Sequence, residues 1–362
     1  MTTTTAGLRT LGVGLIGANP DFGWGFRAHV PALARVPGFA ITAVGTTRED
    51  SARRAAELTG AASWYLDPGE LAADPAVDLA VVTVKVPFHV ELVEAVLAAG
   101  KHVYCEWPLT RTTQEAEALT VAAERAGVQA FVGLQTRADA VVGQVRDLLT
   151  AGEIGTVTSL AARSSAMRGH DNTIDRERLY TIDASSRAGD VEVQGGHRLD
   201  LLDHLLSGLG GIAIEDGATA VTRAAYRLEG TSERIPATAP DVFRAGLRIG
   251  PDGIGTVLAW YGDPDPTTEV VLQGTRGKVT LRSERVVPGY AQQSQMAPFL
   301  AEVVSDRGRR TLSGPDGRLP AEAQNVAETY RRVLADLRDG GTRAPRFTDG
   351  VRLHRLLDEV RG

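Results

Sequence analysis

The first third of the chain alternates between short apolar runs and stretches with apolar residues at helical spacing. The apolar runs are largely β-branched, as buried parallel strands are. They are Leu11–Ile16, Ala40–Gly45, Leu79–Val84, His102–Glu106 and Val128–Gly133. The helical stretches between them are Phe26–Arg35, Asp50–Thr59, His89–Ala99 and Thr113–Ala126. Strands and helices that alternate with short links predict a doubly wound parallel sheet of the α/β class.

After Gly133 one helix near Ala138–Ala151 is followed by strands with alternating apolar positions. The predicted strands are Val157–Ala162, Thr219–Tyr226, Phe243–Ile249, Gly255–Trp260, Glu269–Gln273 and Lys278–Leu281, with a hairpin turn at 274–277. Two helices are predicted at Ala321–Asp339 and Gly350–Val360, and the polar stretch 282–318 is predicted to form loops. We therefore expect two domains, 1–133 and 134–362, the second an α+β domain on a large, open, mostly antiparallel sheet.

Composition narrows the functional classes. A chain of 362 residues exceeds what one hydrophobic core usually supports, and a net charge of −6 argues against nucleic acid or an anionic membrane as the main partner. The single cysteine, Cys105, excludes an internal disulfide, and the threonine-rich start lacks the pattern of a signal peptide. No apolar segment is long enough to span a bilayer. We therefore expect a cytoplasmic protein that acts on a small molecule.

A glycine-rich segment follows the first predicted strand and precedes a helix, from Gly17 to Gly25. In this position backbone N–H groups can approach a pyrophosphate at the helix N-terminus. The match to G-x-G-x-x-G is poor, because the loop carries an insertion with Asn19 and Pro20, and glycines also serve ordinary turns. Its place on the first strand of the alternating series favours a dinucleotide site.

The second predicted strand ends at Gly45-Thr46-Thr47-Arg48. An acidic residue at this point usually holds the ribose 2′-hydroxyl of NAD, whereas hydroxyls and an arginine suit the 2′-phosphate of NADP. The alternative is that Thr47 only caps the helix that begins near Glu49. The pattern favours NADP and leaves NAD open.

Four further motifs occur in order with this loop: Val84-Lys-Val-Pro-Phe-His89, Tyr104-Cys-Glu-Trp-Pro108, Leu134-Gln-Thr-Arg137 and Gly196-His-Arg-Leu-Asp200. Together with Gly17 to His29 the set resembles the Gfo/Idh/MocA oxidoreductase family, and most closely its Gal80-like branch. The resemblance covers nearly the whole chain. It implies an N-terminal Rossmann domain, a C-terminal domain with a large open sheet, and a homodimer or homotetramer formed through that sheet.

The resemblance also implies roles for single residues. Gly17, Gly23 and Trp24 would line the dinucleotide phosphates, and Asn19 belongs to the same loop. The adenosine and ribose side would be bordered by Val84, Lys85 and Pro87, with His89 starting the helix beneath. Glu106 would bind the nicotinamide ribose, and Gln135 would lie near the carboxamide. His197 would act in the substrate pocket, and Asp200 matches an acid that is usually structural.

Two positions depart from the pattern of dehydrogenases in this family. Typical catalytic members carry Glu-Lys-Pro where this chain has Glu106-Trp107-Pro108, and they often carry an aspartate at the position of Val193. An indole stacks and donates one hydrogen bond but does not exchange protons near neutral pH. Lys85 is one strand away from Trp107, so phosphate or ribose contact is its expected role, and the alternative is a solvated loop lysine.

The proton route must then use other groups. His197 lies between two glycines and an apolar run, so we expect it at a helix N-terminus, where a neutral imidazole is favoured. It would accept or return the proton of an alcohol, and the alternative is a helix cap or a domain anchor. Tyr180 is the best substitute general acid. Trp107 is either a stacking platform for a sugar-like ligand or core filler.

Other polar residues are expected near the substrate, namely Arg137, Arg163, Arg168, Asp183 and Asp200. No metal site is expected, because the seven histidines are scattered without ligand spacing. The first hypothesis is an NAD(P)-dependent oxidoreductase acting on a carbohydrate or a related cyclic polyol or ketone. The second is a dinucleotide-binding sensor of the Gal80 type, which accounts for the missing lysine and aspartate.

Overall fold

A computed structural model describes residues 9–166, 171–283, 295–296, 298–315 and 319–362. The chain divides into two compact units, each assembled from separate stretches. Unit 1 consists of Met1–Thr110, Gln114–Gly133 and Arg318–Gly350, and unit 2 of Arg111–Thr113, Leu134–Gly317 and Val351–Gly362. A late helix therefore packs with the first unit, whereas the boundary predicted at residue 133 assigns it to the second domain.

Unit 1 is built on a parallel sheet with the strand order β3-β2-β1-β4-β5-β6. Its strands are β1 Leu11–Ile16, β2 Phe39–Gly45, β3 Ser63–Tyr65, β4 Leu79–Val82, β5 His102–Glu106 and β6 Ala130–Gly133. The helices between them are α1 Val30–Leu33, α2 Glu49–Thr59, α3 Pro68–Ala73, α4 His89–Ala98 and α5 Thr113–Ala126. The predicted doubly wound sheet is confirmed, and β3 and α3 were missed because both elements are short.

Unit 2 contains the helices α6 Ala140–Thr150 and α7 Gly196–Leu205. The long helix α8 Ala321–Asp339 belongs to unit 1, and the last helix of the chain is α9 Phe347–Arg361. The main sheet of unit 2 has the order β17-β16-β15-β14-β7-β13-β12-β9, and a small sheet has the order β11-β10-β8. Their strands are β7 Val157–Ala166, β8 Thr173–Ile174, β9 Ile212–Ala220, β10 Ala225–Leu228, β11 Arg234–Pro236, β12 Val242–Ile249, β13 Gly253–Tyr261, β14 Thr268–Gly274, β15 Gly277–Ser283, β16 Phe299–Ser305 and β17 Gly308–Ser313. The expected large, mostly antiparallel sheet is confirmed.

Two local predictions in unit 2 were wrong. The strand expected at Thr219–Tyr226 is divided between β9 and β10, because Thr222 turns aside and bonds the Asp241 carboxylate through its backbone N–H at 2.6 Å and its hydroxyl at 2.8 Å. Of the stretch 282–318, the described residues include the hairpin of β16 and β17, and residues 284–294, 297 and 316–318 lie outside them. The buried positions of β16 alternate with less buried ones, and this period-2 signal was masked by the polar residues around it.

One face of the main sheet in unit 2 is covered by helices, and the described residues leave the other face open. Arg198 of α7 bonds the side chain of Ser164 on β7, so α7 lies over that face. On the opposite face Ile254 is 62% exposed and Leu258 is 47% exposed. Successive strand residues point to opposite faces, which accounts for the alternation along β13. No helix among the described residues has the length and apolar character needed to cross a membrane.

Candidate functional site

The glycine-rich loop lies where the chain order of the unit 1 sheet reverses, between β1 and β4. Ligands of open α/β sheets bind at such switch points, beyond the carboxyl ends of the strands. The loop is tied to both neighbours of β1. Gly17 donates its N–H to the Gly45 carbonyl at 2.9 Å, and Thr83 donates its N–H to the Ile16 carbonyl at 3.0 Å.

Glycine is required at three positions of this loop. Gly17 has φ 94° and Gly23 has φ 136°, a region that side-chain-bearing residues rarely adopt. A Cβ on Gly25 would collide with the Thr83 hydroxyl. That hydroxyl donates to the Ile16 carbonyl at 2.8 Å, so the end of β4 closes tightly over the loop.

The helix that leaves the loop begins as a π-turn, Gly25–His29, and only then becomes α1. The N–H of Val30 donates to the Gly25 carbonyl five residues back. Pro31 has no N–H for the bond that a regular helix would make next, which accounts for the break. The predicted helix Phe26–Arg35 is therefore shorter and less regular than expected. Such π-turns occur frequently at functional sites.

Two polar side chains of the loop have different duties. Asn19 accepts the N–H of Asp21 on its side-chain oxygen at 3.0 Å, so it stabilises the loop. The indole Nε1 of Trp24 is buried and has no hydrogen-bond partner among the described residues. Since an indole N–H only donates, this group fits an acceptor-rich ligand such as a diphosphate.

At the end of β2 the hydroxyl of Thr46 donates to the Arg48 carbonyl at 2.8 Å and lies 2.7 Å from the Ser51 hydroxyl. Thr47 is exposed, and no side chain caps the start of α2. The capping role considered for Thr47 was therefore wrong, and Thr46 supports this turn. The Arg48 guanidinium pairs with Asp50, with Nε 3.0 Å from Oδ1, which reduces its availability for a 2′-phosphate.

At the end of β4, Val84 and Pro87 are half-buried and Lys85 is exposed. His89 is buried, with Nε2 3.0 Å from the Val84 carbonyl and Nδ1 3.1 Å from the Leu109 carbonyl. Burial lowers the pKa of His89, so the imidazole is neutral at physiological pH. Its side chain lies between the two loops that follow β4 and β5, and the neutral ring donates to one of the two carbonyls.

The carboxylate of Glu106 lies at the end of β5 and belongs to a buried polar chain. His29 Nε2 is 2.9 Å from Glu106 Oε1, and His29 Nδ1 is 2.7 Å from the Tyr330 hydroxyl. His29 and Tyr330 are fully buried, whereas the Glu106 side chain retains 12% exposure. A Cβ on Gly133 of β6 would come within 2.6 Å of the carboxylate, so glycine there leaves it room.

Sequence reasoning placed His29 only in the loop motif and did not identify Tyr330 as part of a site. The two residues are 301 positions apart, and no local pattern relates them. Trp107, next to Glu106, is 5% exposed. The chain contains three lysines, at 85, 101 and 278, so the indole position has no lysine beside it in sequence.

In unit 2, His197 is 2% exposed and lies in the first turn of α7. The helical backbone starts earlier, because a second π-turn, Val191–Gly195, runs directly into α7. His197 thus lies at the N-terminal end of α7, as expected, but the Gly196 N–H already bonds to the carbonyls of the preceding turn. A Cβ on Gly195 would lie 2.8 Å from the Phe243 ring, so β12 approaches the turn closely.

Charged side chains hold α7 in place. Asp200 Oδ1 accepts from Nε and Nη2 of Arg137 at 2.8 and 2.7 Å, and Asp203 accepts from Arg352 at 2.7 and 2.6 Å. Arg198 bonds the Tyr261 hydroxyl at 3.1 Å. Arg137 and Asp200, both expected near substrate, bond each other.

Gln194 of the second π-turn was missed by sequence reasoning. It is 2% exposed, and its side-chain oxygen has no hydrogen-bond partner in the described part of the chain. A buried acceptor without a partner carries a desolvation cost unless a ligand supplies the donor. The residue type and its neighbourhood to His197 in sequence were visible, but its burial was not.

The remaining predicted residues are spread over unit 2. Arg163 pairs with Glu269 at 3.3 Å and points to the face opposite α7, because the next residue, Ser164, contacts Arg198. The structure therefore does not bring Arg163 beside His197. Asp183 is exposed and caps a short turn through Ser185. Tyr180 is half-buried, and Gln135 is fully buried. Arg168 lies outside the described residues.

The N-terminal region, residues 11–134, matches the family model described as "Oxidoreductase family, NAD-binding Rossmann fold". This region therefore resembles the Gfo/Idh/MocA oxidoreductase family. The resemblance inferred from the motifs is thereby confirmed. Dehydrogenase aclE of Aspergillus oryzae is 29% identical over 310 residues, which cover 81% of this chain and 82% of aclE.

A regulatory protein is also similar to this chain. The galactose/lactose metabolism regulatory protein GAL80 of Saccharomyces cerevisiae is 24% identical over 54% of this chain and 47% of its own length. The crystal structure of a super-repressor mutant of Gal80p superposes with a TM-score of 0.84 at 19% identity, covering 97% of this chain and 94% of that chain. The similarity to Gal80 proteins, which the sequence motifs predicted, is therefore observed.

Levoglucosan dehydrogenase of Pseudarthrobacter phenanthrenivorans is 23% identical over 98% of this chain and 96% of its own length. A structure of levoglucosan dehydrogenase in complex with NADH and levoglucosan superposes with a TM-score of 0.81 at 20% identity, covering 97% and 96% of the two chains. The relatives thus include sugar dehydrogenases, which bind small-molecule substrates, and NAD is the cofactor that the comparisons support.

Proposed function

We propose that this protein is an NAD(P)-dependent oxidoreductase that transfers a hydride to or from a carbohydrate or a related cyclic polyol or ketone. One observation carries the proposal: the glycine loop, the indole N–H of Trp24 and the Glu106 carboxylate lie at the switch edge of one parallel sheet. That edge is where such sheets bind dinucleotides. The buried donor of Trp24 without a partner fits a diphosphate, and an acceptor carboxylate fits ribose hydroxyls.

A bound nicotinamide would supply or accept the hydride, and the protein would supply orientation and a route for the proton. Gly17, Gly23 and Trp24 would hold the diphosphate, and Glu106 would hold the nicotinamide ribose. His197 would take the proton of a carbinol or return it to a carbonyl, with Tyr180 as the alternative donor. The ion pairs of Asp200 and Asp203 hold α7, the helix that carries His197.

The direct test is a screen of reduced and oxidised dinucleotide against cyclic sugars, polyols and their ketones. We expect steady turnover with at least one of them. His197→Ala should lower turnover about 100-fold or more, because general acid–base catalysis contributes this much, while the dissociation constant of NAD is unchanged. His204→Ala is the matched control, since His204 lies on the same helix and bonds Arg146. Equal losses in both variants would contradict the role of His197.

A second candidate function is a dinucleotide-binding sensor without turnover. It is favoured by Trp107 and Val193, which replace two proton-handling groups of the family's dehydrogenases, and by the similarity to GAL80. Tight binding of NAD with no turnover on any substrate of the screen would support the sensor and remove the enzyme. In a sensor, Trp107→Lys combined with Val193→Asp would create turnover only if the rest of the pocket were catalytic.

The open face of the main sheet in unit 2 supports assembly into a homodimer or homotetramer. Ile254 and Leu258 are exposed there beside the ion-paired side chains of Arg163 and Glu269. An exposed apolar surface on a long sheet is commonly covered by a second subunit. Light scattering should report a dimer or a tetramer, and Leu258→Glu should shift it towards the monomer.

A further inference from the structure

The polar chain of Tyr330, His29 and Glu106 extends from a helix near the C-terminus to the end of β5. Its two hydrogen-bond distances, 2.7 and 2.9 Å, are those of well-formed bonds. His29 and Tyr330 are fully buried, and their hydrogen bonds link the π-turn, α8 and β5 within unit 1. Three distant segments of the chain therefore meet at one imidazole.

The aromatic surroundings fix the plane of that imidazole. Tyr104, Tyr330 and Trp24 each meet the His29 ring edge to face, with interplanar angles of 78°, 81° and 79° and centroid distances of 5.6, 5.7 and 6.4 Å. Tyr104 and Tyr330 stack on each other at 5.5 Å. The ring therefore has one orientation, and it contacts both Trp24 of the glycine loop and Glu106.

Hydrogen-bond chemistry gives the chain a direction. An ionised carboxylate only accepts, so His29 Nε2 carries a hydrogen and donates it to Glu106. In neutral imidazole Nδ1 then accepts, and the Tyr330 hydroxyl is the donor that meets it. Burial, together with the charge of Glu106, raises the pKa of Tyr330 well above its ordinary value, so the hydroxyl keeps its proton.

We propose that Tyr330 and His29 are positioning residues, which hold the Glu106 carboxylate in the orientation that binds the nicotinamide ribose. The inference rests on the proposed dinucleotide function. His29 ends the glycine-loop motif, whereas Tyr330 lies outside the motifs named above. A proton relay is not the role, because Tyr330 is fully buried and the chain ends inside unit 1. The alternative is a purely structural network.

The test compares two ligands by calorimetry, ADP-ribose and ADP. Both contain adenosine and the diphosphate, but only ADP-ribose carries the second ribose, which bears the nicotinamide in a dinucleotide. Tyr330→Phe keeps the aromatic ring and removes the donor. We expect it to weaken ADP-ribose and NAD about 3- to 10-fold, the effect of one net hydrogen bond, and to leave ADP unchanged.

Three variants calibrate this result. Glu106→Gln should show the same selective loss for ADP-ribose, and combining it with Tyr330→Phe should add little, because both act on one contact. His29→Gln should resemble Tyr330→Phe. Phe39→Leu is the packing control, since Phe39 contacts the same Tyr330 ring at 5.8 Å without a polar group. It should leave the ratio of ADP-ribose to ADP affinity unchanged.

The outcomes separate the two proposals. Equal losses for ADP-ribose and ADP in Tyr330→Phe, or no loss, would overturn the positioning role while dinucleotide binding stands. A normal ADP-ribose affinity in Glu106→Gln would overturn the ribose role of the carboxylate. If the unmodified protein binds neither NAD nor NADP, the proposed function fails, and the positioning role fails with it.

Discussion

The two π-turns, Gly25–His29 and Val191–Gly195, differ in how their buried polar side chains are hydrogen-bonded. At the first, the buried polar group His29 is bonded at both ring nitrogens by residues of the same unit. At the second, Gln194 is equally buried but keeps a side-chain oxygen without a partner among the described residues. Both turns precede a helix and both need a glycine where another element approaches closely.

This difference indicates a division of labour under the proposed function. A site for an invariant part of the cofactor gains from groups that are fixed before binding, because preorganisation lowers the cost of association. A site for substrate needs polar groups whose hydrogen bonds the substrate completes. We therefore assign the closed network to the dinucleotide and the open acceptor to the substrate, and the following predictions test that assignment.

The largest effects are expected from a matched pair of glycine variants. Gly25→Ala would drive a methyl group into Thr83, and Gly195→Ala would drive one into the Phe243 ring. Each should lower the free energy of unfolding by about 1–3 kcal/mol, as overpacking does. Only Gly25→Ala should also weaken NAD, about tenfold or more, measured by calorimetry with urea unfolding in parallel. Equal weakening of NAD by both would contradict the division.

A second prediction concerns acid and the helix that contacts the second turn. Arg361 of α9 bonds Glu192 of that turn at 2.8 Å, and burial on the same helix lowers the pKa of His354 to about 4. The unfolded imidazole has a pKa near 6.5, so between pH 6.5 and 4 it is protonated while the folded imidazole stays neutral. Stability is therefore full above pH 6.5 and falls as the pH drops towards 4, by up to about 3 kcal/mol from this group.

The measurement is urea unfolding at several pH values between these limits. His354→Gln removes the titrating group, so its free energy of unfolding should fall less over the same range. The contributions of other buried histidines, His89 among them, are common to both proteins and cancel in the comparison. Parallel profiles for the two proteins would show that His354 does not govern the acid sensitivity of this unit.

A third prediction tests the open acceptor. Gln194→Ala should raise KM for the substrate about 3- to 10-fold, because one hydrogen bond is lost, and leave the NAD dissociation constant unchanged. Gln129→Ala is the matched control: Gln129 also has a buried side-chain oxygen without a partner among the described residues, but it lies in unit 1 and bonds the Asp336 carbonyl. A KM change in the control as large as in Gln194→Ala would remove the substrate role.

The smallest effect concerns the choice between NAD and NADP. Asp50→Asn would release the Arg48 guanidinium from its exposed ion pair and should shift the preference towards NADP about 2- to 3-fold, as surface pairs are weak. Glu49→Gln changes the charge equally but frees Arg53 of the same helix. Competition binding of the two cofactors measures the ratio, and the same shift in both variants would assign it to net charge alone.

Much of unit 1 could be predicted from the sequence, because its signals are local. The strands β1 and β5 and the helices α5 and α8 begin and end at the predicted residues. Apolar runs and helical spacing fix these elements, and the glycine loop followed from its place after the first strand. Short elements such as β3 escaped, since three residues carry too little periodicity.

Other features depend on contacts between residues far apart in the chain. The sequence by itself determined a doubly wound sheet, a glycine-rich loop after its first strand and a carboxylate at the end of β5. Only the tertiary structure decided that His29 contacts both Tyr330 and that carboxylate, that Arg163 faces away from α7, and that Gln194 is a buried acceptor. The physical reason is that burial and hydrogen-bond partners are properties of packing, which no local pattern records.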